Sequence, residues 1–147
     1  MNAQFQVMTF NTEAKPALEG TETQWLEVAD TPKLEAISLA LREQVPAGGT
    51  SLHNAFGALA ALPNPPDNIF LLTDGLPTQG ERAPRGSRVS GNERLRHFRE
   101  AIPRLPPGVP VNTILFPMEG DPMAASEYWQ LARASNGSFL SPSTDWP

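Results

Sequence analysis

Apolar and polar positions along the chain change period several times, and each change predicts an element. Gln4-Phe5-Gln6-Val7-Met8-Thr9-Phe10 partly alternates, is rich in strand formers and stops at Asn11, which predicts a strand. Trp25 to Val28 follows a polar turn with Gly20 and suits an antiparallel neighbour. Thr31-Pro32 reads as N-cap and first helical position, with Leu34, Ile37, Ala40 and Leu41 on one face, so a helix is expected to about Val45, ended by Pro46. Gly48-Gly49-Thr50-Ser51 opens a second helix with Leu52, Ala55, Phe56, Leu59 and Leu62 inward, closed by Pro63, Pro65 and Pro66.

Ile69-Phe70-Leu71-Leu72 is apolar at every residue, the pattern of a strand covered on both faces, and it runs straight into Thr73-Asp74-Gly75. A Gly- and Arg-rich loop spans about 76–91. Leu95, Phe98, Ile102 and Leu105 mark a third helix, with Pro103 making its last turn irregular. Val111 to Phe116 is a second strongly apolar strand. Asp121-Pro122 can cap a final helix with Tyr128, Leu131, Ala132 and Ser135 inward, which Asn136-Gly137 ends before a short strand at Ser138-Phe139-Leu140. Strand and helix alternate from the second helix onward, so the predicted fold class is α/β: one domain, residues 1–147, with a doubly wound, mostly parallel sheet and helices on both faces.

Composition narrows the chemistry. With 147 residues and no cysteine, thiolate zinc sites, iron–sulfur clusters, thiol catalysis and disulfides are excluded. His53 and His97 leave little for histidine-based metal or triad chemistry, and both suit ordinary helix or solvated positions. Lys15 and Lys33 make Schiff-base chemistry a poor fit. No apolar run approaches a membrane span, and Met1 to Phe5 lacks the basic start and apolar stretch of a signal peptide. No nucleotide-binding glycine loop, phosphate loop or Gly-x-Ser-x-Gly is present. Trp25, Trp129 and Trp146 read as edge or tail packing, and Asn136-Gly137-Ser138 as a helix end that matches a glycosylation acceptor by chance.

The net charge of −5 is uneven: residues 82–104 hold seven arginines and two glutamates inside an otherwise acidic chain. Such a run is usually a solvated face, or it serves an acidic partner. Without interleaved aromatics it does not point to nucleic acid.

What remains is oxygen chemistry at strand ends. Asp74 follows the most apolar strand at its carboxyl end, where open α/β sheets place ligands, and Thr50 begins a helix after two glycines. One carboxylate and one hydroxyl suit a hard cation such as Mg²⁺. Taken singly, Thr50 reads as an N-cap and Asp74-Gly75 as a turn.

Together, and in this order, Gly48-Gly49-Thr50-Ser51-Leu52 and Phe70 to Thr78 resemble the von Willebrand factor A-domain family. Val7 to Asn11 looks like that family's second strand, Trp25 to Val28 like its antiparallel edge strand, and Leu131-Ala132 through Phe139 like its last helix and strand. The resemblance implies a protein-binding or adhesion module rather than an enzyme, with a metal-ion-dependent adhesion site. Thr50 and Asp74 would help hold Mg²⁺ or Mn²⁺, and a carboxylate of the partner protein would complete the shell. Ser51, Gly75, Arg82, Arg85 and Arg88 would face that partner.

The family's first motif, Asp-x-Ser-x-Ser on a central strand between those represented here by 4–10 and 69–73, does not occur in this sequence. Three expectations follow. Met1 is an internal methionine, so that an upstream segment carries the strand, with membrane anchoring or export in that case and a cytoplasmic protein otherwise. Alternatively another chain, or a second copy, adds the strand. Or residues 4–10 pair directly with 69–73. Two other functions are weighed: a Mg²⁺-assisted phosphoryl hydrolase using Asp74, and a metal-free scaffold.

Overall fold

A computed structural model describes residues 3–143. The predicted strand at 4–10 is two strands, β1 (Gln4–Phe5) and β2 (Met8–Phe10). Gln6 causes the break. Its side chain folds back to accept the Val7 N–H at 2.8 Å and donates to the carbonyls of Thr21 and Gln24, so the chain leaves the extended line there. A strand absent from the pattern, β3 (Ala14–Pro16), pairs antiparallel with β2, while β4 (Leu26–Glu27) pairs antiparallel with β1. The first helix, α1 (Thr31–Arg42), is capped by Asp30 rather than Thr31 and ends before Val45. Ile37 is its one buried residue, and Leu34, Leu39 and Leu41 are exposed, because among the described residues no strand packs closely under the stripe.

The rest of the chain builds the core. Helix α2 (Leu52–Ala58) continues into a 3₁₀ turn, residues 59–61. Strand β5 (Ile69–Thr73) leads through the basic loop to α3 (Gly91–Ala101), which starts with a reciprocal Ser90–Glu93 capping box. A 3₁₀ turn at Pro103 ends that helix, as the proline requires. Then come β6 (Val111–Leu115), α4 (Ala124–Ala134) and β7 (Phe139–Leu140). Strands β5, β6 and β7 form a parallel sheet in that order, with Ile69 opposite Val111 and Thr113 opposite Phe139. The α/β class with a parallel sheet is therefore present.

One hydrophobic cluster joins Leu52 and Phe56 of α2, Phe98 and Ala101 of α3, and Tyr128 and Leu131 of α4 to Ile69, Leu71, Val111 and Leu115 of the sheet. Phe98 meets Tyr128 edge to face at 5.0 Å. All three helices thus share the face carrying the odd-numbered residues of β5. The even-numbered residues Phe70 and Leu72 are 70% and 56% exposed, so β5 is covered on one face and not on two as its sequence predicts. Residues 4–10 also do not pair with 69–73: among the described residues, β5 is hydrogen-bonded only to β6 and β2 only to β3. Trp146 lies outside the described residues.

Candidate functional site

Two loops at the carboxyl end of β5 carry the predicted site residues, and backbone contacts join them. Gly48 has φ +80, a left-handed conformation that glycine adopts without strain, and turns the chain toward Gly49. Gly49 lies so close to Thr78 that an added Cβ would come within 2.5 Å of its hydroxyl. Thr78 then grips Thr50 from both sides: its hydroxyl accepts the Thr50 N–H at 2.7 Å and its own N–H donates to the Thr50 carbonyl at 2.9 Å. From the other side Asn11 accepts the Ser51 N–H at 2.7 Å, and Asn54 donates to the Thr12 carbonyl at 2.8 Å.

Ser51, not Thr50, is the N-cap of α2. Its hydroxyl accepts the Asn54 N–H and donates to the Gly80 carbonyl at 2.7 Å, and the residue is fully buried. Thr50 is thereby released from capping, whereas Ser51 lies beneath the surface as a support. Gly75 is also interior. The site residues reaching the surface are Thr50, half-buried, Asp74, exposed, and the exposed arginines Arg82, Arg85 and Arg88, none of which forms an ion pair among the described residues.

The turn after Asp74 is held at nearly every backbone group. Tyr128 donates its phenol hydrogen to the Gly75 carbonyl at 2.8 Å, and Thr73 adds a second donor. Burial raises the Tyr128 pKa, which keeps that hydroxyl a donor. The Leu76 N–H donates to Asp121 at 2.7 Å, the Leu76 carbonyl accepts from the Arg94 guanidinium, and Arg94 and Asp121 form a salt bridge of 2.8 Å. Asp121 therefore does not cap α4, whose N-cap is Met123 with no side-chain bond. Sequence reading missed Arg94, Asp121 and Thr78 because a charged residue in a helix and an Asp-Pro before one carry no local sign of a distant backbone partner. Gly75 fits this clamp because an added Cβ would stand 2.7 Å from Asp121.

Thr50 and Asp74 line one cavity of about 610 Å³ that also reaches Phe10, Asn11 and Leu72. A von Willebrand factor type A structure from Catenulispora acidiphila superposes with a TM-score of 0.61 over 97% of this chain at 17% identity. The fold is that of a von Willebrand factor A domain. This chain spans 30% of the length of that structure, and no family model and no curated protein matches the sequence. As in the sequence resemblance, the A-domain fold brings the Gly-Gly-Thr loop and the Thr-Asp-Gly turn to one sheet end. The donor set is small, however: among the described residues no group of three or more His, Asp or Glu side chains is placed to hold a metal ion. Thr50 and Asp74 fit a hard cation in kind, as one hydroxyl and one carboxylate, but in number leave most of its shell to water or to a partner.

Proposed function

We propose that this chain is a non-enzymatic protein-binding module in which Thr50 and Asp74 hold Mg²⁺ or Mn²⁺ weakly, and an acidic side chain of a partner protein completes the shell. The observation that carries the reading is that Thr50 and Asp74 border one cavity from loops fixed by Thr78 and by the Arg94–Asp121 pair. Rigid loops hold the two oxygens in place before a ligand arrives, so less ordering is lost on binding. The cation supplies an acceptor site for carboxylate oxygen. Asp74 offers the anionic ligand, Thr50 a neutral one, and Arg82, Arg85 and Arg88 draw acidic partners toward this end of the sheet.

The test is a Mn²⁺ titration followed by electron paramagnetic resonance, with and without a glutamate-rich peptide. Binding is expected to be weak alone and tighter with the peptide. Asp74→Asn, which alters an exposed side chain, should lose it at least tenfold. Equal binding by Asp74→Asn would overturn the proposal. With the same peptide, replacing Arg82, Arg85 and Arg88 by glutamine should slow association several-fold at low salt and leave it unchanged at high salt. An unaltered on-rate would remove the arginines from the reading.

A further inference from the structure

From Glu81 to Val89 the chain is neither helix nor strand, and among the described residues it forms no hydrogen bond and no ion pair. Every residue from Glu81 to Arg88 is exposed, and Val89 is half-buried. The two ends, by contrast, are fixed. The buried Ser51 hydroxyl donates to the Gly80 carbonyl at 2.7 Å, and the Glu93 carboxylate accepts the Ser90 N–H at 2.8 Å. A protease must draw several residues into an extended line to cut between them. In a loop anchored at both ends and unbonded between, nothing has to be broken first.

Charge says which protease. Of the 11 lysines and arginines, all but Arg82, Arg85 and Arg88 stand in a helix, a strand or a 3₁₀ turn, where an extended line demands local unfolding. The three bonds that remain are not equal. Arg82 is followed by Ala83 and Pro84, and a proline two places past the cut lacks the N–H by which an endoprotease holds the leaving side. Arg88 is followed by β-branched, half-buried Val89 and then by Ser90, whose N–H is taken by the capping box. Arg85 is followed by exposed Gly86, where an added Cβ would meet nothing nearer than the Arg88 carbonyl at 3.9 Å. Before Arg85 stands Pro84, which fixes its own φ and biases Ala83 toward extended backbone, so Ala83-Pro84-Arg85 favours the line a protease binds.

We propose that the Arg85–Gly86 bond is a limited-proteolysis site, cut once by a serine endoprotease whose specificity pocket carries a carboxylate and which accepts proline before the arginine. Water adds across the bond. The carbon–nitrogen bond breaks, the Arg85 carbonyl carbon takes the water oxygen and ends as a carboxylate, and the Gly86 nitrogen leaves with the protons as an ammonium. The product is a two-piece domain that stays folded. Residues 1–85 carry Ile69 to Thr73 and residues 86–147 carry Val111 to Leu115, which pair position by position. Across the same divide Arg94 donates to the Leu76 carbonyl at 3.1 Å, Asp121 accepts the Leu76 N–H at 2.7 Å, and Phe56 and Phe98 share one core. The cut therefore leaves the turn after Asp74 in place and parts Arg82 and Arg85 from Arg88. It needs no cation and is separate from the metal reading.

The experiment is limited digestion of the whole chain by trace trypsin and, in parallel, by thrombin, read by intact mass spectrometry and native size-exclusion chromatography. Fragments 1–85 and 86–147 should appear before any others with both enzymes, elute together where the uncut chain does, and separate in urea. Arg85→Gln, which alters an exposed side chain, should slow the thrombin cut about tenfold or more and move the first trypsin cut to another arginine of the loop. Pro84→Ala should slow the thrombin cut several-fold with the circular dichroism spectrum unchanged. A first cut at Arg42, Arg82, Arg88 or inside α3, no cut by thrombin, an unaltered thrombin rate in either variant, or fragments that part without denaturant would each overturn the proposal. The digest contains no Mg²⁺ or Mn²⁺, so failure of the Mn²⁺ titration leaves this result standing, and the converse holds.

Discussion

Gly137→Ala should destabilise the fold more than the same replacement at any other glycine of the chain. An alanine Cβ at this position would lie 2.0 Å from the Val111 carbonyl oxygen and 2.5 Å from its carbon. The obstacle is backbone rather than the end of a movable side chain. Neither partner is free to retreat: Gly137 donates to the Ala132 carbonyl at 2.8 Å, Val111 donates to the Ser135 hydroxyl at 3.0 Å, and Val111 begins the central strand β6. Relieving the clash means pushing the end of α4 away from the sheet and breaking the turn made by Asn136, whose φ is +59. Overpacking of this kind costs about 3 kcal/mol or more, roughly a 10 °C fall in Tm for a domain of this size. Thermal unfolding followed by circular dichroism measures it. Gly91→Ala, at the first residue of α3 with open space around it, is the control and should not lower Tm. A Gly137→Ala protein melting within two degrees of wild type would show that the close approach is not fixed.

The second large effect is expected at Asp121. Its side chain is 5% exposed and that of Arg94 15%, so removing the carboxylate leaves a guanidinium with little water and an unpaired Leu76 N–H. Breaking one side of such a pair costs about 3–5 kcal/mol. Asp121→Ala should therefore lower the urea midpoint strongly. Asp121→Asn should lose less, since it keeps an acceptor for Leu76. The double replacement Arg94→Met with Asp121→Leu should recover part of the loss by removing both charges together. Additive effects in that cycle would mean the pair is not coupled. The pair also holds the turn after Asp74, so any stability it contributes is located at the candidate site.

The parts of the fold legible in the sequence are those where periodicity and burial coincide. The runs at 69–72 and 111–116 read as strands because they are strongly apolar, and the structure buries their odd-numbered residues in the core; Pro103 marks the irregular end of α3. Reading failed where a residue's partner is distant. The apolar Phe70 and Leu72 predict a cover that no described element provides. The stripe of α1 predicts packing, yet only Ile37 is buried. Gln6 reads as one polar position in an alternating strand, and only the Thr21 and Gln24 carbonyls show why the strand breaks there. At the site, Thr50 and Asp74 were legible because each sits at a punctuated strand or helix end. Exchange of the capping role from Thr50 to Ser51 depends on the Gly80 carbonyl, 29 positions away, which no local pattern encodes.

The division of the core has a consequence for how the molecule opens. Every buried member of the main cluster lies between Leu52 and Leu131, and among the described residues before Gly48 Phe10, half-buried, is the one apolar side chain that packs against it. The stretch from β1 to α1 buries Leu26 and Ile37 apart from that cluster, and it is tied to α2 through Asn11 and Thr12 and to the Asn64 carbonyl through Trp25. Opening free energies follow the density of buried apolar contacts, so this stretch forms the lower rung of a two-step unfolding ladder while the β5–α3–β6–α4 unit stays folded. Its amides would exchange with solvent first, and the wall that Met8 to Lys15 give to the cavity at Thr50 and Asp74 would move with it.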